Sequence, residues 1–358
     1  MHVITVIGAR PQFIKASVVS REFEAKGIVE EIVHTGQHFD ANMSDVFFSE
    51  LEIPQPAYHL GIGGGTHGQN TGRMIEAIER VLFEKRPDWV LVYGDTDSTL
   101  AGTIVAAKLH IPVAHVEAGL RSFNRAMPEE INRVLTDHAA TLLFAPTEAA
   151  VSHLAVEGIA GAKVQLVGDV MYDAALFFGN KAGKCSQALE HLGLKPQEYV
   201  LATIHRAENT DIRERLSAIV DGFRNFGRPI IWPLHPRTKK RIATFGLTIP
   251  RNVKVIEPVG YLDMVMLEKN AALIATDSGG VQKEAFFYQV PCVTLRDETE
   301  WVELVQAKWN TLAPPQHSEI VATAISQAMG TKGTEIFPYG SGNAAAAIVT
   351  RLSLFASI

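Results

Sequence analysis

Short apolar, β-branched runs recur along the chain, each closed by a small or polar residue and followed by a stretch that reads as a helix. In the first half they fall at 3–7, 31–35, 89–93, 112–116, 141–145 and 163–167, with a shorter one at 58–62. In the second half they fall at 199–203, 229–232, 253–256, 271–275 and 291–295. Runs such as 89–93 and 271–275 are apolar throughout rather than alternating, so both faces of those strands are expected to be buried. Strands of that kind, separated by helices, define a parallel sheet covered on both sides. A short amphipathic helix is expected at 41–51 and a helix at 281–288. Residues 179–198 are polar, carry Gly, Lys and Ser, and interrupt the rhythm, which reads as a linker. With 358 residues there is room for two cores. The expectation is α/β: two doubly wound, Rossmann-like domains, 1–178 and 199–339, facing across a cleft.

In such sheets ligands bind beyond the carboxyl ends of the strands, and the unusual polar residues gather there. Arg10 and Lys15 follow the first run, and Asp95, Glu117, His205, His235 with Arg237, and Arg296 follow later ones. The segment Asp277-Ser-Gly-Gly280 opens a helix, so the amides of Ser278, Gly279 and Gly280 are expected to face outward without intrahelical partners. An anion suits that turn, because the helix dipole adds positive charge and the glycines admit a phosphate closely. Glu284 lies one turn further, placed to accept from hydroxyls. Each feature has a plainer reading: a Ser cap at 278, a pair of solvated cations at Arg10 and Lys15, an Asp95 that caps the next helix. Glu117 follows an apolar run and precedes Ala-Gly, a confined place in which a carboxyl can serve as general acid or base. Glu129 and Glu130 open a helix after Pro128, where carboxylates also complement the dipole.

Several classes are disfavoured. A net charge of -6 supplies no basic excess for a nucleic-acid partner. Cys185 and Cys292 are far apart, which points to a reducing compartment, and the 13 histidines show no metal-ligand pattern. No run approaches a membrane span and no basic leader is evident, so a cytoplasmic location is expected. Gly63-Gly-Gly65-Thr-His-Gly68 matches the dinucleotide fingerprint literally, but in the wrong place; the first turn, Gly8-Ala-Arg-Pro11, lacks the glycines. A flexible loop is the better reading, and no redox cofactor is expected.

Gly8-Ala-Arg-Pro-Gln-Phe-Ile-Lys15, Gly94-Asp-Thr96, His115-Val-Glu-Ala-Gly-Leu-Arg121, Pro128-Glu-Glu-Ile-Asn-Arg133 and Thr276-Asp-Ser-Gly-Gly-Val-Gln-Lys-Glu-Ala285 together resemble the nonhydrolysing UDP-N-acetylglucosamine 2-epimerases. The ordered match extends to Pro338-Tyr-Gly-Ser-Gly342. The resemblance implies the two-domain GT-B-like fold of many nucleotide-sugar glycosyltransferases, a homodimer, and a closing helix within 340–358 that returns to the first domain. It implies a UDP-sugar substrate and no cofactor. Asp95, Glu117, Glu129 and His205 would be catalytic; Ser278, Gly279 and Gly280 would hold the diphosphate and Glu284 the ribose. Arg10 and Lys15 would also contact substrate, and His235, Arg237 and Arg296 join that binding set. The chain departs from the plain epimerases at Trp301, Ala207 and Val259, where Arg, Arg and Gln are expected, and in the segment 36–44 that helps form an activating second site in some members. These departures resemble the branch acting on UDP-2,3-diacetamido-2,3-dideoxyglucuronate, used for O-antigen sugars. A hydrolysing epimerase, a glycosyltransferase of the same fold and a noncatalytic nucleotide-sugar binder are the rivals.

Overall fold

The structure is a computed structural model that describes residues 1–37, 48 and 50–355, so most of the expected helix at 41–51 lies outside the described residues. The chain forms two compact units, 1–174 with 337–358, and 175–336.

The first unit holds a seven-stranded sheet in the order β3-β2-β1-β4-β5-β6-β7. Its strands are β1 (His2–Ile7), β2 (Val29–His34), β3 (Tyr58–His59), β4 (Trp89–Tyr93), β5 (Val113–Val116), β6 (Leu142–Ala145) and β7 (Val164–Leu166). Every pairing is parallel. Ile4, Val6, Val90, Val92, Val113 and Leu143 point to one face and pack on Met74, Ile78 and Leu82 of the helix His67–Lys85 and on Ala101 and Val105 of the helix Asp97–Lys108. Residues on the opposite phase, such as Val3, Leu91, Ala114 and Phe144, are buried too. That double burial is why the runs lack alternation. Gly63–Gly68 follows the edge strand β3 and leads into a helix capped by Thr66, away from the centre of the sheet.

The second unit holds a six-stranded parallel sheet in the order β10-β9-β8-β11-β12-β13. Its strands are β8 (Val200–Thr203), β9 (Ile230–Pro233), β10 (Val253–Ile256), β11 (Leu273–Thr276), β12 (Cys292–Thr294) and β13 (Asn310–Leu312). Val200, Ala202, Trp232, Leu273 and Ala275 face one core, while Leu201, Ile231 and Ile274 face the other. Residues 179–198, which composition reads as a linker, instead complete the helix Val170–Cys185 and form a second one, Ala188–Leu192. Ala188, Leu189, Leu192 and Leu194 pack beneath β8, and polar residues cover the outer face. The helix Ala344–Phe355 belongs to the first unit: its first amides, from Ala344 and Ala345, donate to Asp173 at 3.1 and 2.8 Å.

Both sheets reverse their strand order beside their first strand. In the first unit the switch lies between β1 and β4, in the second between β8 and β11. Crevices at such points are the usual ligand sites of doubly wound sheets. The segments that follow these four strands carry Arg10, Asp95, His205 and residues 278–280.

Candidate functional site

In the first unit, β1 ends at Ile7 and, after Gly8 and Ala9, the next helix, Arg10–Ala25, begins. Gln12 ties this loop to its neighbour: its side-chain oxygen accepts from the Gly8 and Ala9 amides at 2.7 and 3.0 Å, and its amide donates to the Tyr93 carbonyl at 2.8 Å. One turn on, the ammonium of Lys15 pairs with Glu117, with side-chain exposures of 9% and 8%. Glu117 takes a left-handed backbone, φ 71°, where β5 ends. Gly94 also has positive φ, 62°, and a Cβ there would lie 3.3 Å from the Glu117 carboxylate and 3.5 Å from Lys15 Nζ.

Asp95 does not cap the following helix, because Thr96 does, accepting from the Thr99 amide at 3.3 Å. Asp95 is left to pair with Arg133 Nη2 at 2.7 Å, with 34% of its side chain open. Burial raises its pKa above the ordinary value; Arg133 opposes this, while Glu117 and Glu129 add to it and Lys15 subtracts. Asn132, beside Arg133, donates to the Asp95 carbonyl at 3.0 Å and to Asp97 at 3.1 Å. Glu129 is exposed at the start of the helix Pro128–Ala139. Glu130 turns inward and accepts from the Ser122 amide and hydroxyl and the Phe123 amide, each at 2.9 Å, so its role is to close the preceding loop. Arg10 is half-buried at the head of its helix.

In the second unit the helix at the glycine turn begins two residues earlier than expected, at Gly279, and runs to Phe287. Ser278 is its cap. The expectation of three free amides needs correcting, since the Ser278 amide donates to Thr276 Oγ1 at 2.9 Å. Gly279 and Gly280 supply the remaining pair. Opposite them Trp301 donates its indole N–H to the Gly279 carbonyl at 2.9 Å, and Lys283 Nζ lies 4.2 Å over its ring. Arg296 is buried and pairs with Glu300 at 2.9 Å and with Glu208 at 3.7 Å. His235 caps its own helix through Nδ1, and Arg237 pairs with Asp211 at 2.6 Å on the surface.

Asp277 was quoted above only as part of a motif, yet it organises this end of the sheet. Fully buried, it accepts from the His205 amide at 3.1 and 3.2 Å, the Arg206 amide at 3.0 Å and Asn209 Nδ2 at 3.0 Å. The His205 ring, half exposed, is thus held next to the 278–280 turn by backbone anchoring.

Glu284 is buried and accepts from the Tyr261 hydroxyl at 3.3 Å. Burial raises its pKa to about 7, against the pull of Tyr261 and Lys283. Glu268, on the helix Tyr261–Asn270, is 1% exposed and neither carboxyl oxygen has a hydrogen-bond partner. Burial, then Glu284, drives its pKa well above 4.5. Both groups hold protons more tightly folded than unfolded, so their contribution to stability is present below pH 4.5 and is lost as pH climbs through the folded values. Glu268→Gln is therefore expected to stabilise the protein at pH 8 by about 1–3 kcal/mol and to do little at pH 5. Thermal melts at the two pH values check this; an equal effect at both would remove the charge argument.

Among the described residues no group of three or more His, Cys, Asp or Glu could hold a metal ion, and no helix is long and apolar enough to cross a membrane.

Two doubly wound parallel sheets, each with polar groups at its switch point and one followed there by a helix that opens on two glycines, define a GT-B-like α/β protein. A calicheamicin glycosyltransferase, 12% identical with a TM-score of 0.56 over 99% of this chain and 93% of its own, shares that fold alone. The family model for UDP-N-acetylglucosamine 2-epimerase matches residues 21–353, and the chain belongs to that family. It is 52% identical over 360 residues, 99% of each chain, to UDP-2,3-diacetamido-2,3-dideoxy-D-glucuronate 2-epimerase of Pseudomonas aeruginosa. The UDP-N-acetylglucosamine 2-epimerase of Methanocaldococcus jannaschii is 47% identical over 99% of each chain. The crystal structure of the M. jannaschii UDP-GlcNAc 2-epimerase with UDP-GlcNAc and UDP superposes with a TM-score of 0.91, covering 99% of this chain and 100% of that one. The Neisseria meningitidis enzyme bound to UDP-GlcNAc gives 0.90 at 32% identity, with the same coverage.

Proposed function

We propose that this chain inverts C2 of a UDP-2-acetamido sugar without net hydrolysis, and that UDP-2,3-diacetamido-2,3-dideoxyglucuronate is its substrate. The 52% identity to the P. aeruginosa enzyme over essentially the whole chain carries the reading. Trp301, where the plain epimerases have Arg, supports the choice of sugar as one of the departures that resemble the uronate branch. A carboxylate takes the C2 proton while the C1–O bond breaks, its electron pair leaving with the β-phosphate of UDP and a C1=C2 double bond forming. Re-addition reverses this: a proton reaches the other face of C2 and the phosphate oxygen attacks C1. Two faces need two proton-handling groups, and Asp95 and Glu117, with Glu129 assisting, fill those roles. Asp95, whose pKa burial raises against the pull of Arg133, is the better placed of the two to act as donor.

The Gly279 and Gly280 amides with Ser278 hold the diphosphate, Glu284 takes the ribose hydroxyls, and His205 supports the leaving group as charge builds on it. Arg10, Lys15, His235, Arg237 and Arg296 complete the substrate-binding set. The same family reading carries a homodimer acting in the cytoplasm on a precursor of a polysaccharide such as O-antigen. Incubation with each UDP-sugar in deuterated water, followed at C2 by NMR, is expected to show deuterium at C2 with UDP still attached, faster for the uronate. A strong preference for UDP-GlcNAc would overturn the sugar assignment. Free UDP without epimer, or no exchange with either sugar, would overturn the reaction.

A further inference from the structure

We propose that His115 is a positioning residue of the epimerisation, carrying hydrogen on both ring nitrogens as it bridges Asp137 to the Gly94 carbonyl and fixes the turns presenting Asp95 and Glu117. The inference rests on the function proposed above. His115 lies in β5 with none of its side chain exposed. Its Nε2 is 2.7 Å from the Gly94 carbonyl and its Nδ1 is 2.7 Å from Asp137 Oδ1. A carbonyl only accepts, so Nε2 carries hydrogen.

The other nitrogen is settled by what surrounds Asp137. Its second oxygen accepts from Arg121 Nη1 at 2.7 Å and from the Gly119 amide at 3.1 Å. Ion-paired with the Arg121 guanidinium and taking the Gly119 amide on the same oxygen, this carboxylate acts as an acceptor at its other oxygen too. Nδ1 therefore carries hydrogen as well. Arg121 continues through two bonds to Glu157, at 2.7 and 2.9 Å. The chain Glu157, Arg121, Asp137, His115 alternates in sign, which is what permits Arg121, Asp137 and His115 to lie buried, while Glu157 ends it nearer the surface, where His138 also pairs with it at 3.0 Å.

Its far ends are the two turns that matter. The Gly94 carbonyl belongs to the peptide that leads into Asp95, and Gly94 itself abuts the Glu117 carboxylate and Lys15. The Gly119 amide lies two residues beyond Glu117, in a turn that holds both Glu117 and Gly119 at positive φ, 71° and 82°. A left-handed non-glycine residue persists only where its surroundings over-determine it. Asp137 and His115 supply that determination to both turns at once, and neither belongs to the proposed substrate-contacting set. Reacting groups misplaced by about 1 Å lose on the order of a hundredfold in rate.

The ring nitrogens of His115 in the wild-type protein, labelled with nitrogen-15 and assigned through the backbone, test the first half at pH 8. Two pyrrole-type nitrogens, each with its proton, are expected; one pyridine-type nitrogen would overturn the inference. For His115→Gln, kcat for C2 exchange per UDP-binding site is expected to fall about a hundredfold with KM and UDP affinity little changed. A kcat near the wild-type value would also overturn it, as would a rise in KM that accounts for the whole loss. If the variant does not fold, the wild-type spectrum decides. Failure of the proposed function has a different signature: the wild-type enzyme would show no exchange, whatever the spectrum of His115.

Discussion

Glu117→Gln is expected to slow C2 exchange by about 10²–10⁴-fold, the usual worth of a positioned acid or base. It should also cost stability. Lys15 and Glu117 are each more than nine-tenths buried, and removing one charge takes from the other its ion-pair partner, a loss of up to about 3–5 kcal/mol. The double variant Lys15→Met, Glu117→Gln, compared with Lys15→Met alone, separates the two effects: most of the stability returns, because no ion-pair partner is stranded, while exchange stays well below that of Lys15→Met, whose own loss reports the substrate contact. Melting curves and the deuterium assay on the single and double variants provide the check. Exchange that recovers together with stability would show that Glu117 acts through the fold alone.

Asp277→Ala has the next largest expected effect. It strips the acceptor from the His205 and Arg206 amides and from Asn209, all at a fully buried position. Unsatisfied buried donors cost about 1–3 kcal/mol each, so a loss of at least about 3 kcal/mol is expected, discounted for relaxation of the exposed His205 loop. With that loop released, UDP affinity and turnover fall together, in contrast to His115→Gln, where turnover alone falls. Calorimetric UDP titration and steady-state kinetics distinguish these patterns. An Asp277→Ala protein that melts, binds and turns over like the wild type would show that the His205 loop does not depend on it.

The strands were legible because double burial leaves little room for polar residues inside them. Their order in the sheets was not written in any one segment, yet the clustering of Arg10, Asp95, Glu117, His205 and Ser278 at strand ends was, because a parallel sheet sends every strand end to the same edge. What the sequence concealed were polar residues whose partners are distant in the chain. Asp137 and His115 are 22 positions apart, and Gln12 and Tyr93 are 81 apart. A signal existed for His115, a histidine inside an otherwise apolar run, but none for Gln12. Glu268 looks like any surface residue of a helix and is instead sealed in the core. The Ser278 amide was misread because Thr276, ending β11, can turn its hydroxyl onto the next loop. Polar residues at 179–198 suggested an irregular connection, whereas they are the outer faces of helices whose inner faces are apolar.

The chain leaves its first unit after Ala174 and re-enters it at Phe337. Residues 175–336 are therefore one continuous insertion, and the first unit is a discontinuous domain that closes only when Ala344–Phe355 docks beside Asp173 and Lys26, whose Nζ reaches Thr350 at 2.7 Å. During synthesis the usual order, in which amino-terminal domains finish first, is inverted. The second unit has its whole sheet available while the first still lacks a helix, so the nascent chain carries an unfinished apolar face on its amino-terminal part until Ala344–Phe355 has been made.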